Sequence, residues 1–380
     1  MTSLSRRLPC GALVALSVAL GCDRSAPSGP ASSAATSSSP PALPSPPASS
    51  ASPPPLPARA VLLLGGDVEL ARATGKRILA DPSYDPLRRI RGRLDQADVS
   101  FVNLESQLSE QGGEVVRSWS SLVFTGPPGG ADVLARAGID VVSTANNHAW
   151  DYGERALRET LDNLDRVGVA HVGTSREAGD QARPVVVERA GVKIGFLAFT
   201  AIWNQGPLST HPARRHVAEA TRDAVEAGTR ALVASGAADV VVVSVHGGEE
   251  YGASTTPSLR ALLHAAARAG AHVVVGHHAH VFHGVSFVGD TPVFEGLGNL
   301  VMQMHREHPA TELGLLARVT VGRGGASRVE ACPHRVVLAE PEPVTGAALA
   351  MARRRLTMTS PAPLALEETP DGCFRLEPAR

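Results

Sequence analysis

The chain is 380 residues long, room for one large domain or two ordinary ones. Its 36 Lys and Arg residues nearly balance 37 Asp and Glu, which leaves no electrostatic footprint for nucleic acid or for an anionic polymer. Only Lys76 and Lys193 are lysines, and most of the 14 histidines fall between His148 and His283.

The N-terminus has the form of a targeting segment. Arg6 and Arg7 precede a short apolar stretch, 11–20, that ends at Gly21-Cys22. That run is too short for a permanent bilayer span, so a signal peptide over 1–22 is expected. The ending Val18-Ala19-Leu20-Gly21-Cys22 resembles a bacterial lipobox, with Cys22 as the lipidated residue of the exported protein. Residues 23–57 follow as a tether: of these 35 positions eleven are Pro and eleven Ser, too little apolar surface to offset the entropy of ordering. This arrangement predicts an envelope protein held to a membrane by its lipid. Of the remaining cysteines, Cys10 leaves with the signal peptide. Cys332 and Cys373 either pair in an oxidising compartment or stay as two free thiols.

From residue 60 onward apolar runs alternate with amphipathic stretches. A buried strand over 61–64 ends at Gly65-Gly66-Asp67. A helix is expected over 85–97 and a strand over 99–102 that ends at Asn103-Leu104-Glu105. A short helix over 132–137 leads to a strand over 140–143, which runs into Asn146-Asn147-His148. The pattern over 154–167 is helical. Strands at 185–187 and 194–198 flank a turn, and a helix covers 218–234. The β-branched run 239–245 ends at His246, and a helix over 259–269 precedes a strand over 272–275 that ends at His277-His278-Ala279-His280. Paired strands are expected at 281–287 and 292–294, then a closing antiparallel pair at 313–321 and 328–338. Beyond Glu340 the pattern fades into a tail, 341–380, with one short helix over 344–355. Alternation of this kind argues for a layered α/β domain over 60–340 with a largely parallel central portion, its central β-sheets flanked by helices.

Five of the apolar runs end in polar clusters: Asp67, Asn103/Glu105, Asn147/His148, His246 and His278/His280. Ligands of α/β sheets bind outside the carboxyl ends of parallel strands, so five polar tips on one edge converge on one site. Any one of them alone reads as a cap or a core histidine; a mixture of carboxylate, amide and imidazole does not. Imidazole suits Zn, Mn or Fe, and carboxylate and amide oxygens suit harder ions, so one or two divalent ions are expected. Mixed sets of this kind serve dinuclear hydrolytic sites, where a carboxylate bridges the ions. In extended backbone His278 and His280 would face the same way and His277 the other.

Gly66-Asp67, Asn103-Leu104-Glu105, Ala145-Asn146-Asn147-His148 with Asp151-Tyr152-Gly153, His246-Gly247-Gly248-Glu249-Glu250-Tyr251, Gly276-His277-His278-Ala279-His280 and Leu297-Gly298-Asn299 occur in this order. Together they resemble the CapA or PGA_cap family, whose fold is related to the calcineurin-like metallophosphoesterases. The resemblance covers about 61–301. It implies Asp67, Glu105, Asn147, His246, His278 and His280 as metal ligands, with Glu105 at the bridging position. It implies His148, with Asp151 beside it, as the catalytic pair. Asn103, Glu249, Tyr251 and Asn299 are the expected substrate-contacting residues. Two departures stand out. Asp67-Val68-Glu69 replaces the Asp-x-His pair of such phosphoesterases, and Glu105 stands where the wider superfamily has Asp. The resemblance implies a metal-dependent hydrolase or transferase acting on poly-γ-glutamate or a related envelope polymer, beside membrane synthase or export subunits. The alternative is a non-catalytic polymer-binding or assembly component on the same scaffold.

Overall fold

In the computed structural model, which describes residues 58–379 apart from 303, 305 and 306, the first apolar run becomes β1 (Arg59–Val68). Helices α1 (Arg72–Ala80) and α2 (Arg91–Leu94) follow, then β2 (Val99–Leu104). The short pair β3 (Gln107–Leu108) and β4 (Thr125–Gly126) precedes α3 (Gly130–Arg136), β5 (Val141–Ser143), α4 (Gly153–Val167) and β6 (Ala170–Val172). The next stretch holds β7 (Val185–Arg189), β8 (Val192–Thr200), α5 (Arg222–Ser235), β9 (Val240–His246), α6 (Pro257–Arg268) and β10 (Val273–His277). Strands β11 (Val285–Val288), β12 (Thr291–Phe294), β13 (Asn299–Val301), β14 (Leu313–Gly322), β15 (Gly325–Val337) and β16 (Glu340–Pro343) come next. The chain closes with α7 (Gly346–Thr359), β17 (Leu364–Glu368) and β18 (Phe374–Pro378).

These strands form two large sheets flanked by helices, as expected, and β3 and β4 pair as a separate two-stranded one. The larger runs β17-β18-β15-β14-β1-β2-β5-β6, with β13 beside β1 and β16 beside β15; the smaller runs β11-β12-β10-β9-β8-β7. The β1-β2-β5-β6 and β8-β9-β10-β12 portions are parallel. Side-chain alternation explains the layering. Leu62, Leu64 and Phe101 of one sheet meet Ile194, Phe196, Val242 and Val275 of the other, all buried in one cluster. Phe101 stacks on Phe196 across that boundary with ring centroids 5.4 Å apart. The alternate residues Leu63, Val102 and Val142 face outward onto Leu134 of α3 and Leu157, Leu161 and Leu164 of α4. On the far side Val241, Val243 and Val274 meet Val225 and Leu232 of α5 and Leu259 and Leu263 of α6. The result is a four-layered helix–sheet–sheet–helix sandwich.

Two local expectations change. The helix expected over 85–97 shrinks to one 3₁₀ turn and the single turn of α2, while the unanticipated α1 lies just upstream. The segment 341–380, expected to be a tail, supplies β17, β18 and α7. Leu349, Ala352 and Leu356 of α7 are buried in the core between the sheets. Cys332 and Cys373, which the sequence left open, are joined in a disulfide that ties β15 to the start of β18. The proposed signal peptide, Cys22 and the tether lie outside the described residues. No helix of the described residues is long and apolar enough to cross a membrane.

The crosslink closes a sequence separation of 41 residues. On loop entropy that contributes about 4 kcal/mol. The Cys332→Ser/Cys373→Ser protein is therefore expected to unfold at clearly lower guanidinium concentration than the oxidised protein. Coincident denaturation curves would remove this role for the bond.

Candidate metal centre

Strand pairing sets the geometry. Asp67 on β1 is in register with Asn103 on β2 and Asn299 on β13, and His246 on β9 is in register with His277 on β10. The tips of both sheets thus meet at one place. Gly66 makes this possible: a Cβ there would lie 1.8 Å from the Gly298 carbonyl oxygen, and Asp67 N–H donates to that same oxygen at 3.0 Å.

Two groups of ligand-capable side chains result. Asp67, Glu105 and His246 form one, and Glu105, His278 and His280 the other; within each group the ligand atoms lie within 4.8 Å of one another. Glu105 belongs to both. The donor set fits a divalent cation on its own evidence. Both Glu105 carboxylate oxygens and His278 Nδ1 are buried and lack any hydrogen-bond partner among the described residues. Such groups are tolerated where a metal ion completes them.

The neighbours orient these ligands. Asn103 Nδ2 donates to Asp67 Oδ1 at 2.9 Å and lies 3.2 Å from His246 Nδ1. Asn146 donates to the Leu104 carbonyl at 2.8 Å and accepts from His148 N–H at 3.1 Å. His280 Nδ1 meets Asn299 Oδ1 at 3.0 Å, and the Asn299 amide donates to the Thr311 carbonyl at 3.4 Å. That pairing leaves His280 Nε2 for the cluster. Asn147 Oδ1 lies 2.7 Å from His246 Nε2, and its amide donates to Asn204 at 3.1 Å. His148 Nδ1 sits 2.7 Å from Asp151 Oδ2, which also accepts from Phe124 N–H at 2.6 Å. His148 Nε2 then lies 3.9 Å from Glu105 Oε1.

Burial dominates the electrostatics. Withdrawal from water, then repulsion by Asp67, Glu250, Glu69 and Asp151, pushes Glu105 well above the usual carboxylate range. Burial pushes Asp67 up too, but His277, His280 and the Asn103 donor outweigh it and its net shift is downward. Burial, then repulsion from the surrounding imidazoles, drives His246 well below the usual imidazole range. His278 falls to about 4, chiefly through burial. Neutral imidazoles are what metal ligation needs.

The structure revises several expectations. His278 and His280 reach the cluster through left-handed backbone, with φ of 92° and 58°, and not through an extended strand. Non-glycine residues in that region carry strain that the surrounding packing holds, as at functional sites. His277, expected to face away, has Nδ1 3.3 Å from Asp67 Oδ1 because it still belongs to β10 and points between the sheets. Asn103 and Asn299, expected to touch substrate, are fully buried and bear on ligands instead. Glu249 is exposed and does not line the cleft over the cluster; Glu250 and Tyr251 do. Glu69 has turned to Arg72, with Oε2 2.7 Å from Nη2, and stands outside both ligand groups.

A cleft of about 460 Å3 opens over the cluster. Asn147, His148, Asp151 and His280 form its floor, and Arg72, Phe124, Trp119, Leu122, Glu250 and Tyr251 its walls. Trp119 and Leu122 are largely exposed on the rim. Of these wall residues Tyr251 was expected, whereas sequence reasoning passed over Arg72 and over Trp119, Leu122 and Phe124, which lie in an aperiodic segment.

A layered α/β protein with a buried carboxylate–imidazole cluster below an open cleft defines the class. The chain belongs to the family described as bacterial capsule synthesis protein PGA_cap, whose profile matches residues 61–304. It is 29% identical over 215 residues to a capsule biosynthesis protein CapA of Bacillus anthracis, covering 56% of this chain and 52% of that protein. It is also 29% identical over 218 residues to a PGA biosynthesis protein CapA of Bacillus subtilis, covering 56% of this chain and 55% of that protein. The chain spans about half the length of these two curated relatives. A probable polyglutamine synthesis accessory protein of Mycobacterium tuberculosis is 25% identical over 293 residues, 64% of this chain and 75% of its own. Among solved structures, a putative 5'-nucleotidase of Staphylococcus aureus aligns over 78% of this chain and 58% of its own. Its TM-score is 0.45 at 15% identity.

The purified domain is expected to take up Mn or Zn, and the His278→Ala/His280→Ala protein to lose it while keeping its circular dichroism. Apo protein with intact fold at saturating metal would refute the centre. Because Glu105 holds its proton to higher pH than an ordinary carboxylate, cation binding expels that proton, and affinity weakens as pH falls. Mn affinity measured at successively lower pH should therefore fall, and an affinity independent of pH would remove Glu105 from the ligand set.

Proposed function

We propose that this chain is a metal-dependent hydrolase or transferase of the cell envelope, acting on an anionic polymer such as poly-γ-glutamate. The observation that carries the reading is the position of Glu105, shared by two ligand groups and within 3.9 Å of His148 at the floor of an open cleft. A divalent ion held there supplies Lewis-acid polarisation of the bond under attack.

The chain's own residues supply the rest. Asp151 accepts from His148 Nδ1–H, which fixes the tautomer and leaves Nε2 toward Glu105. His148 is thereby placed to take a proton from a nucleophile or give one to a leaving group, the role implied by the family resemblance. Phe124 stacks on His148 with ring centroids 3.9 Å apart and holds the imidazole plane. The relatives named for capsule and PGA biosynthesis support a polymer substrate, and membrane synthase or export subunits are the partners this reading assigns. Export and lipid attachment at Cys22 place the domain at the envelope, tethered by 23–57.

One observation favours a second reading, a polymer-binding assembly component without turnover. Glu69, at the position of an imidazole ligand in phosphoesterases, is bound to Arg72 and leaves the Asp67 group one donor short.

Turnover separates the two. With Mn loaded, the domain is expected to cleave poly-γ-glutamate or a chromogenic phosphodiester, and His148→Ala to slow this by about 10²–10⁴ with metal content unchanged. Absence of turnover under every metal loading supports the assembly reading. For the anchor, labelled fatty acid is expected on the full chain and not on Cys22→Ser; equal labelling of both would remove Cys22 as the lipid site.

A further inference from the structure

The cleft above the cluster has a marked charge asymmetry. Asp151 and Glu250 are among its lining residues, and among the described residues Arg72 is the one lysine or arginine there. Arg72 is the first residue of α1, and its φ is +46°, a left-handed conformation for a non-glycine residue at the mouth of the site. Such backbone persists when the surroundings hold it, and here they fix the side chain as well. Its Nε and Nη2 both donate to Glu69 Oε2, at 3.1 and 2.7 Å. Its Cζ lies 4.4 Å from the centre of the Phe124 ring, and Phe124 stacks in turn on His148. Glu69 and Phe124 thus occupy one edge and one face of the guanidinium. Nη1 makes no hydrogen bond among the described residues, on a side chain that is 28% exposed.

We propose that Arg72 is the oxyanion receptor of the cleft, a substrate-binding residue that takes a carboxylate or phosphate group of the substrate while the bond to be broken lies over the cluster. Guanidinium is the group suited to this, because its planar fork matches both oxyanions and it stays charged at every relevant pH. The stack through Phe124 sets the receptor one ring away from His148. A γ-linked glutamate chain presents a free carboxylate a few bonds from each amide, so one repeat reaches both places. Without Arg72 the described lining of this cleft would offer an anionic chain no guanidinium or ammonium group beside the carboxylates Asp151 and Glu250.

The inference rests on the polymer reading above for the carboxylate case only. Removing Arg72 alone would leave Glu69, whose side chain is 3% exposed, without its counter-ion, so the test uses Arg72→Gln with Glu69→Gln, and Arg72→Lys beside it. Mn-loaded proteins are titrated calorimetrically with tri-γ-glutamate, with the same trimer fully amidated, and with inorganic phosphate. The trimer is expected to bind the double variant about tenfold or more weakly and Arg72→Lys to an intermediate degree. Metal content and melting temperature should stay unchanged, and the amidated trimer should not distinguish the proteins. Equal trimer affinity in wild type and double variant overturns the receptor and leaves the polymer reading standing. Arg72-dependent binding of phosphate with no binding of the trimer keeps the receptor and removes the polymer reading. No anion binding to the wild type overturns the receptor outright.

Discussion

A carboxylate withdrawn from water loses most of its hydration, and Glu105 has both oxygens buried with no donor on either among the described residues. Its surroundings make this worse, since Asp67, Glu250, Glu69 and Asp151 all repel its charged form. The histidines around it do not restore balance. His246, His278 and His280 are all pushed toward neutrality by burial. A cluster of acids among neutral imidazoles has two ways to exist in a protein interior: it keeps a proton, or it holds a cation. The other features of the site suit the second. Asn103, Asn146 and Asn299 are buried amides that fix ligand orientation without adding charge, and His148 is kept at the margin, where Asp151 rather than the cluster holds its proton.

The two sheets supply the rigidity such a cluster demands. Parallel strands carry Asp67, Asn103 and His246 at fixed register, and the Phe101–Phe196 stack beneath them couples one sheet to the other. Close approach at Gly66 and Gly298 and left-handed backbone at His278 and His280 are departures from regular structure, and both lie at this junction. Gly314 continues the pattern: a Cβ there would meet the Asn299 carbonyl at 2.3 Å and His334 Nε2 at 2.5 Å. His334 Nε2 donates to that carbonyl at 2.9 Å, so β14 and β15 reach the site through β13. Irregular backbone is concentrated where ligands must be aimed, and regular strands occupy the rest.

The convergence of strand tips was legible because each tip follows a run of apolar β-formers, a signal that depends on a few neighbouring residues. What the sequence could not carry was which sheet each strand joins, since pairing of β1 with β13 and of β15 with β18 is decided by contacts far apart in the chain. The same holds for 341–380. Leu366 and Leu376 pair across β17 and β18, yet each strand holds too few apolar residues to stand out, and the disulfide and α7 decide their place. Asn103 and Asn299 were found as site residues but misread in role, because burial separates a residue that orients a ligand from one that touches substrate. His277 was judged by strand alternation alone, which says nothing of how near the second sheet stands.

The departure at Glu69 acquires a physical sense in this light. An imidazole at that position would add a neutral donor to the Asp67 group; a carboxylate adds charge to a place already crowded with it. Arg72 takes that charge up, and Glu69 leaves the ligand set. The two groups that remain are unequal. Asp67, Glu105 and His246 offer two carboxylates and one imidazole, whereas Glu105, His278 and His280 offer one carboxylate and two imidazoles. Carboxylate-rich sets favour harder ions and imidazole-rich sets favour zinc and its neighbours, so the two positions differ in preference even though they share Glu105. The carboxylate that stands outside both ligand groups is thus held by the one lysine or arginine among the described residues that line the cleft.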